Sequence, residues 1–233
     1  MLKIINFKIC PFVERVTALL EHKKIEYEIE YIDLSNKPKW FLEIAPNGQV
    51  PVLITENGKA LFESDAIVEY LEEAYVPLQE NISAEDRAEN RAWSYLATKH
   101  YLVQCAAQRS SNLALLNERV AKLGKLFDKV EAKLGAHRFF NGSELSMVDI
   151  AWLPLLHRAS IIQNHSGFDF LGNRPKLKKW QMEILDLGLA QKAVAPDFVE
   201  AFSKFYLSDK TYLGRGYELE IEPNNENFKT SCG

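Results

Sequence analysis

One cysteine stands where an apolar run gives way to the first turn of an amphipathic helix. The run covers residues 2–7, and Cys10 is followed at once by Pro11, which suits a first helical position because the N–H that proline lacks would have no intrahelical partner there. A sulfur at a helix N-terminus faces free N–H groups and the positive end of the helix dipole, which favour thiolate over thiol. We therefore expect the pKa of Cys10 to lie below the roughly 8.5 of a free cysteine, which would make it a nucleophile at neutral pH.

The alternative for Cys10 is a small buried hydrophobe without chemistry, which is common for free cysteines. The order of strand, cysteine, proline and helix favours the reactive thiol. Dithiol oxidoreductases carry a second cysteine three residues after the first, whereas this chain has Val13 there. An external thiol would therefore have to resolve a mixed disulfide on Cys10, which predicts a monothiol reaction cycle.

The other cysteines and the histidines form no metal or disulfide pattern. Cys105 and Cys232 are far in sequence from Cys10 and from each other, which fits neither a disulfide framework nor paired metal ligands. The five histidines are scattered without a second ligand at metal-binding spacing. We expect no metal site, and we interpret Cys105 and Cys232 as structural or incidental.

The composition indicates a globular protein that binds neither nucleic acid nor a membrane. The chain has 233 residues, of which 47% are hydrophobic, enough for a sizeable core. Its 28 Lys and Arg against 32 Asp and Glu give a net charge of −4 without a basic patch, so nucleic acid and acidic membranes are poor partners. No apolar stretch approaches the roughly 18 residues of a spanning helix, and the first residues are too short for a signal peptide. We expect a cytoplasmic protein.

The first part of the chain predicts a βαβαββα unit over residues 1–76. Apolar residues of the first helix recur at helical spacing, which places its charged residues on the solvent face. Residues 25–31 alternate as a half-buried strand does. A short helical piece and a turn lead to a strand entered through Val50 and Pro51, and an Asn-Gly hairpin joins it to the next strand. Ser64 is a plausible N-cap of the helix that follows.

The second part of the chain predicts an all-helical domain. A linker at residues 77–85 precedes long helical patterns over residues 86–208, and residues 209–233 read as an irregular tail. Ser146 and Asp149 precede a very apolar stretch and match a capping box in which Asp replaces the usual Glu. We interpret Asp149 as a folding cap rather than a catalytic group.

Short motifs in one order along the chain resemble the cytosolic glutathione transferases, and in particular their omega class. The motifs are CPF-x-ER from Cys10, NKP-x-WF, G-x-VPVL, ES, FF-x-G followed by SM-x-D, and PKLK-x-W, which ends at Trp180. The resemblance implies a glutathione transferase fold of the α/β plus all-α class, with a thioredoxin-like glutathione-binding domain followed by a helical domain that carries much of the acceptor site. It also implies a homodimer, with glutathione as co-substrate.

The resemblance implies a binding role for five residues around the expected cleft. The Ser64 hydroxyl and N–H would take the γ-glutamyl carboxylate of glutathione, and Glu63 its α-ammonium group. The backbone of Val50, before a cis Pro51, would pair with the cysteinyl residue of glutathione, as one added strand residue does. Lys37 would contact the glycine carboxylate.

The resemblance also implies that two aromatic residues lie on the acceptor side of the site. Phe12 follows the proline after the nucleophile, and Trp180 matches an aromatic residue that lines the open acceptor cleft of the omega class. Each could equally be a core residue, because aromatic residues at helical spacing usually are.

The function expected from Cys10 and Val13 is a glutathione-dependent thiol transferase or reductase. Its acceptor would be a small disulfide, a glutathione mixed disulfide or dehydroascorbate. One alternative is a conjugating transferase that joins glutathione to an electrophile, although that chemistry needs a hydroxyl donor rather than a cysteine. Another is a non-catalytic binding module, although such members of the family tend to lose the motifs that this chain keeps.

Overall fold

The computed structural model describes residues 1–216, so Cys232 and most of the predicted tail lie outside the described part. The first part of the chain forms four strands and three helices. In chain order these are β1 (Leu2–Asn6), α1 (Pro11–Lys23), β2 (Tyr27–Tyr31), α2 (Lys39–Ile44), β3 (Val52–Ile54), β4 (Ala60–Phe62) and α3 (Ser64–Ala74).

The four strands form one mixed sheet in the order β2-β1-β3-β4. β1 runs parallel to β2 and antiparallel to β3, and Ile4 of β1 lies opposite Ile29 on one side and Leu53 on the other. β3 pairs with β4 through the predicted hairpin. The parallel β1–β2 pair needs a crossover, which α1 supplies. The carboxyl end of β1 therefore meets the start of α1 and the start of β3 at one edge of the sheet.

The second part of the described chain is helical. Its helices are α4 (Ala84–Gln108), α5 (Leu113–Lys133), α6 (Met147–Ser166), α7 (Pro175–Leu185), α8 (Leu189–Lys192) and α9 (Phe198–Tyr206). The predicted fold class, an α/β unit followed by an all-α unit, is confirmed. α4 begins at Ala84, inside the predicted linker, with the Ser83 hydroxyl accepting the Asp86 N–H at 3.0 Å. None of the helices within residues 1–216 combines the length and the apolar composition that a membrane span requires.

α6 is the central helix of the second part, and its first turn is fixed by Asp149. One carboxylate oxygen of Asp149 accepts the Ser146 N–H at 2.8 Å and the Ser146 hydroxyl at 2.6 Å. The other oxygen accepts the Phe140 N–H at 2.9 Å and the Trp180 indole N–H at 2.7 Å. The capping box is confirmed, and it also joins the start of α6 to α7 and to the preceding loop.

α1 connects the two parts of the molecule, because it packs against α3 on one side and α6 on the other. The expectation that its charged residues face solvent is wrong for two of them. Glu14 and Arg15 are both buried, because Glu14 pairs with His157 and Arg158 of α6 and Arg15 pairs with Asp65 of α3.

Candidate active site

Cys10 is the N-cap residue of α1, with extended backbone angles of φ −82° and ψ 122°. Pro11 is the first helical residue, as the sequence predicts. The Cys10 N–H donates to the Phe7 carbonyl oxygen at 2.9 Å, which closes a tight turn after β1. This turn places the Cys10 sulfur at the edge where β1, α1 and the start of β3 meet.

The electrostatic surroundings of Cys10 contradict the expectation of a low pKa. Burial raises the pKa of the Cys10 thiol to about 11, although the Val13 and Phe12 N–H groups and the Arg158 charge lower it. Loss of water around the sulfur therefore outweighs the helix N-terminus. The thiol donates to the Val50 carbonyl oxygen at 3.9 Å, a contact that suits the protonated form.

A cleft of about 110 Å³ includes Val50, whose carbonyl oxygen the Cys10 thiol contacts, although Cys10 is not itself one of the lining residues. It is lined by Phe12, Asn47, Gln49, Val50, Pro51, Glu63 and Ser64. The Val50–Pro51 peptide bond is cis, as expected. Four of the predicted binding residues, together with Phe12, therefore line one cavity. Asn47 and Gln49 were missed, although the turn residues before Val50 could have suggested them.

The floor of the cleft includes the start of α3. Ser64 is the first helical residue and Glu63 is the N-cap, so the prediction of Ser64 as N-cap is wrong by one position. Glu63 adopts φ 67° and ψ 118°, a strained backbone for a residue other than glycine. Its side chain accepts the Asn47 amide N–H at 2.8 Å. Ser64 is buried, and the first N–H groups of α3 have no intrahelical partner, so this end of the cleft suits an anion.

Lys37 lies at the rim of the cleft. Its side chain is exposed. Its Nζ lies next to Gly48, 3.7 Å from the position that a side-chain Cβ would take there. Gly48 belongs to the turn that leads to Val50. The structure therefore brings the Lys37 ammonium group close to the cleft without placing it among the lining residues.

The two predicted acceptor residues have different positions. Phe12 lines the cleft, and its ring packs against Tyr101 of α4 with centroids 5.0 Å apart. Trp180 is only 2% exposed and packs against Trp152 in the core of the helical part. Its assignment to the acceptor cleft is wrong, because its indole N–H is used to hold Asp149.

A buried ion cluster that the sequence analysis missed lies next to Cys10. It consists of Glu14 on α1 with His157 and Arg158 on α6. The signal in the sequence was a charged pair inside the apolar stretch WLPLLHRASII. Cys105 is buried in the helical part. Among residues 1–216, no group of three or more His, Cys, Asp or Glu side chains could hold a metal ion.

Family models match both parts of the chain. The model of the glutathione S-transferase N-terminal domain matches residues 9–74, and the model of the glutathione S-transferase C-terminal domain matches residues 114–180. The N-terminal model therefore matches the part that contains the sheet, and the C-terminal model matches the helical part.

Curated relatives show the same similarity at the level of whole chains. Glutathione S-transferase omega-1 of Sus scrofa is 29% identical over 90% of this chain and 87% of its own length. Omega-1 of Rattus norvegicus is 32% identical over 77% of this chain and 74% of its own length. Probable glutathione S-transferase DHAR1, cytosolic, of Oryza sativa subsp. japonica is 34% identical over 67% of this chain and 70% of its own length.

Solved structures share the fold. Rice GST1 in complex with glutathione has a TM-score of 0.75 and 25% identity, and the match covers 88% of this chain and 97% of that one. Glutathione transferase Omega 3C of Trametes versicolor has a TM-score of 0.73 and 23% identity over 88% of this chain and 89% of its own.

Proposed function

Since the chain belongs to the glutathione S-transferase family, we propose that it is a glutathione-dependent thiol transferase with Cys10 as its nucleophile. The observation that carries this proposal is the position of the Cys10 sulfur. It lies at the start of α1, 3.9 Å from the Val50 carbonyl oxygen, beside a cleft whose other end is the start of α3. Val13 occupies the place of a second thiol and is buried.

The proposed binding mode uses main-chain groups in the middle of the cleft and charged or polar groups at its ends. The Val50 backbone pairs with the cysteinyl residue of glutathione. The Ser64 hydroxyl and N–H hold the γ-glutamyl carboxylate, Glu63 holds the ammonium group, and Lys37 attracts the glycine carboxylate. In support, Val50, Glu63 and Ser64 line one cavity, and Lys37 stands at its rim.

The proposed reaction is a pair of thiol–disulfide exchanges. The Cys10 thiolate attacks the glutathione sulfur of a mixed disulfide, so that a Cys10–glutathione disulfide forms and the other thiolate leaves. A glutathione thiolate then attacks the glutathione sulfur of that disulfide, which releases oxidised glutathione and returns Cys10 to the thiolate. Dehydroascorbate would be reduced by the same two electrons, taken from Cys10 and one glutathione, which leaves the same mixed disulfide.

The test is Cys10→Ser, measured with hydroxyethyl disulfide and glutathione. Turnover should fall roughly a thousandfold or more, because the variant lacks the nucleophile. Cys232→Ser is the matched control and should keep its turnover. Mass spectrometry after treatment with oxidised glutathione should find one adduct, on Cys10. Turnover that survives in Cys10→Ser would refute the proposal.

A second candidate is conjugation of glutathione to an electrophile, and the high pKa of Cys10 favours it. A thiol with a pKa of about 11 is protonated at neutral pH and could donate a hydrogen bond to a glutathione thiolate, as a hydroxyl does in conjugating enzymes. Conjugation of 1-chloro-2,4-dinitrobenzene that is retained or raised in Cys10→Ser, with no thiol transfer in the original chain, would favour this candidate.

We also propose a homodimer in the cytoplasm. The homodimer rests on the resemblance to the family, and a rice relative named cytosolic supports the compartment, although another is named chloroplastic. Sedimentation at twice the monomer mass tests the dimer. Fractionation of cells that express the chain tests the compartment.

A further inference from the structure

Glu14, His157 and Arg158 form a buried ion cluster, called the Arg158 cluster below. One carboxylate oxygen of Glu14 accepts from Arg158 Nη1, and the other lies 2.6 Å from His157 Nδ1. Glu14 is 2% exposed and Arg158 is fully buried. The cluster therefore joins α1 to α6 with the Glu14–Arg158 pair shielded from water and His157 only 6% exposed.

Arg158 also contacts the chain on the other side of Cys10. Its Nη2 donates to the Ile9 carbonyl oxygen at 3.1 Å. Ile9 directly precedes Cys10, and Glu14 lies in the first turn of the helix that follows it. One guanidinium group thus holds the backbone before the cysteine and a side chain just after it. The planar fork of arginine can make both contacts at once, which the single ammonium of lysine cannot reproduce.

α9 closes the cluster from a third direction. The rings of Phe198 and Phe202 have their centroids 5.6 Å and 6.0 Å from the Arg158 guanidinium carbon. The His157 ring stacks on Phe198 at 5.4 Å. Three separate segments of the chain therefore enclose the charge, which keeps it poorly screened by solvent.

The folding of this junction alone does not explain a buried arginine. Apolar side chains of similar volume often replace buried ion pairs without loss of stability. Among the residues that the structure describes, no acceptor lies within hydrogen-bond reach of the buried Arg158 Nε. The side chain is thus buried with one donor unmet, next to the residue that the proposed function makes the nucleophile.

We propose that Arg158 is a positioning residue for Cys10, which fixes the Ile9 carbonyl and the Glu14 carboxylate on either side of the cysteine and holds a positive charge beside its sulfur. The proposal rests on the proposed function, in which Cys10 must ionise. In that reaction the Arg158 charge stabilises the Cys10 thiolate at two steps. The first is the ionisation of the thiol, and the second is the release of the thiolate from the mixed disulfide.

The surroundings of the sulfur include influences that raise the pKa of Cys10 and influences that lower it. Burial has the largest effect on Cys10 and raises its pKa, Arg158 from α6 lowers it, and Cys105 from α4 raises it. Glu14 from α1, His157 from α6 and Tyr206 from α9 complete the set of ionisable groups. Because Glu14 carries the opposite charge to Arg158, a test of Arg158 has to keep position 14 constant.

The test compares Arg and Met at position 158 in a chain that already carries Glu14→Gln. Alkylation of Cys10 by iodoacetamide at pH 8.5 is followed by mass spectrometry of its peptide. Glu14→Gln with Arg158→Met should react about tenfold more slowly than Glu14→Gln alone, since one unit of pKa changes the thiolate fraction tenfold. Lys at position 158 keeps the charge but not the arginine fork that holds the Ile9 carbonyl, so it should recover only part of the loss.

Arg119→Met is the matched control, because Arg119 also donates to a main-chain carbonyl oxygen, that of Ala106. Its Cys10 alkylation should match that of the original chain. If the Met variant does not fold by circular dichroism, Arg158→Gln in the same background replaces it, with the same slowing expected. Equal rates in the folded variants would overturn the proposal. Alkylation needs no glutathione, so this result is independent of whether the chain proves to be a thiol transferase.

Discussion

The cleft beside Cys10 is lined by residues between Phe12 and Ser64, whereas the Arg158 cluster joins Glu14 to a residue 144 positions further along the chain. The cleft offers backbone groups, short polar side chains and partial access to solvent. The cluster pairs the buried charges of Glu14 and Arg158 and adds the ring of His157. Both regions border Cys10. The cleft would bring the proposed glutathione to the Cys10 sulfur, and the Arg158 cluster sets the charges around that sulfur.

From this comparison we expect the proposed glutathione binding and the ionisation of Cys10 to be controlled separately. Changes in the cleft should alter the affinity for glutathione and leave the Cys10 thiol alone. Changes in the Arg158 cluster should alter the thiol and the stability of the domain junction. The following predictions test this separation, beginning with the largest expected effect.

Removing Arg158 alone should strongly destabilise the fold. Arg158→Met leaves the Glu14 carboxylate buried without its main partner, which costs about 3–5 kcal/mol of unfolding free energy for a buried ion pair. Adding Glu14→Gln should restore most of that loss, because the uncompensated charge is gone. Urea denaturation measures both. Lys122→Met is the control, since Lys122 pairs with Glu118 on an exposed helix surface, and should cost at most about 1 kcal/mol. An unchanged midpoint in Arg158→Met would contradict the buried pairing.

The pH dependence of Cys10 alkylation should reveal which influence on the thiol is stronger. With a pKa of about 11, the thiolate fraction rises about tenfold per pH unit between pH 7 and pH 10. Iodoacetamide rates on the free protein, followed on the Cys10 peptide, should keep increasing across that range. A plateau below pH 8 would mean that the helix N-terminus outweighs burial. Unfolded protein in urea is the reference and should level off near the ordinary pKa of cysteine.

The cleft could be predicted from the sequence far better than the Arg158 cluster. Cys10 with Pro11 is an adjacent pair whose geometry follows from local backbone rules, whereas the cis bond between Val50 and Pro51 was implied by the resemblance to the family. The pairing of Glu14 with Arg158 depends on how α1 and α6 pack, which helical periodicity does not encode. The same periodicity assigned Glu14 to the solvent face. Trp180 was misplaced for a related reason, since its motif shows that an aromatic residue is present but not that Asp149 takes its N–H.

Ser64→Ala should weaken glutathione binding and leave the thiol unchanged. Loss of one hydrogen bond to the carboxylate should raise the KM for glutathione about tenfold, as hydrogen bonds to charged groups are worth about 1.5–3 kcal/mol. The alkylation rate of Cys10 should not change. Ser83→Ala is the matched control, because it removes a helix-cap hydroxyl from α4 and should lower stability by about 1 kcal/mol with the KM unaltered. A change in Cys10 alkylation in Ser64→Ala would break the separation between the two regions.

Lys37→Ala should have the smallest effect on the KM for glutathione. Its dependence on salt should distinguish the exposed cleft from the buried Arg158 cluster. Lys37 is exposed at the rim, where an ion pair contributes about 0.2–1 kcal/mol and is screened by salt. The KM for glutathione should therefore rise only about two- to threefold, and the difference from the original chain should vanish at high ionic strength. Lys99→Ala, which removes another exposed lysine, is the control.

The Arg158 cluster is shielded from salt by burial, so the slower Cys10 alkylation expected without Arg158 should persist at high ionic strength. If salt removed both effects equally, the charge beside Cys10 would be as accessible to ions as the lysine at the rim, and the two regions would not differ as their burial requires.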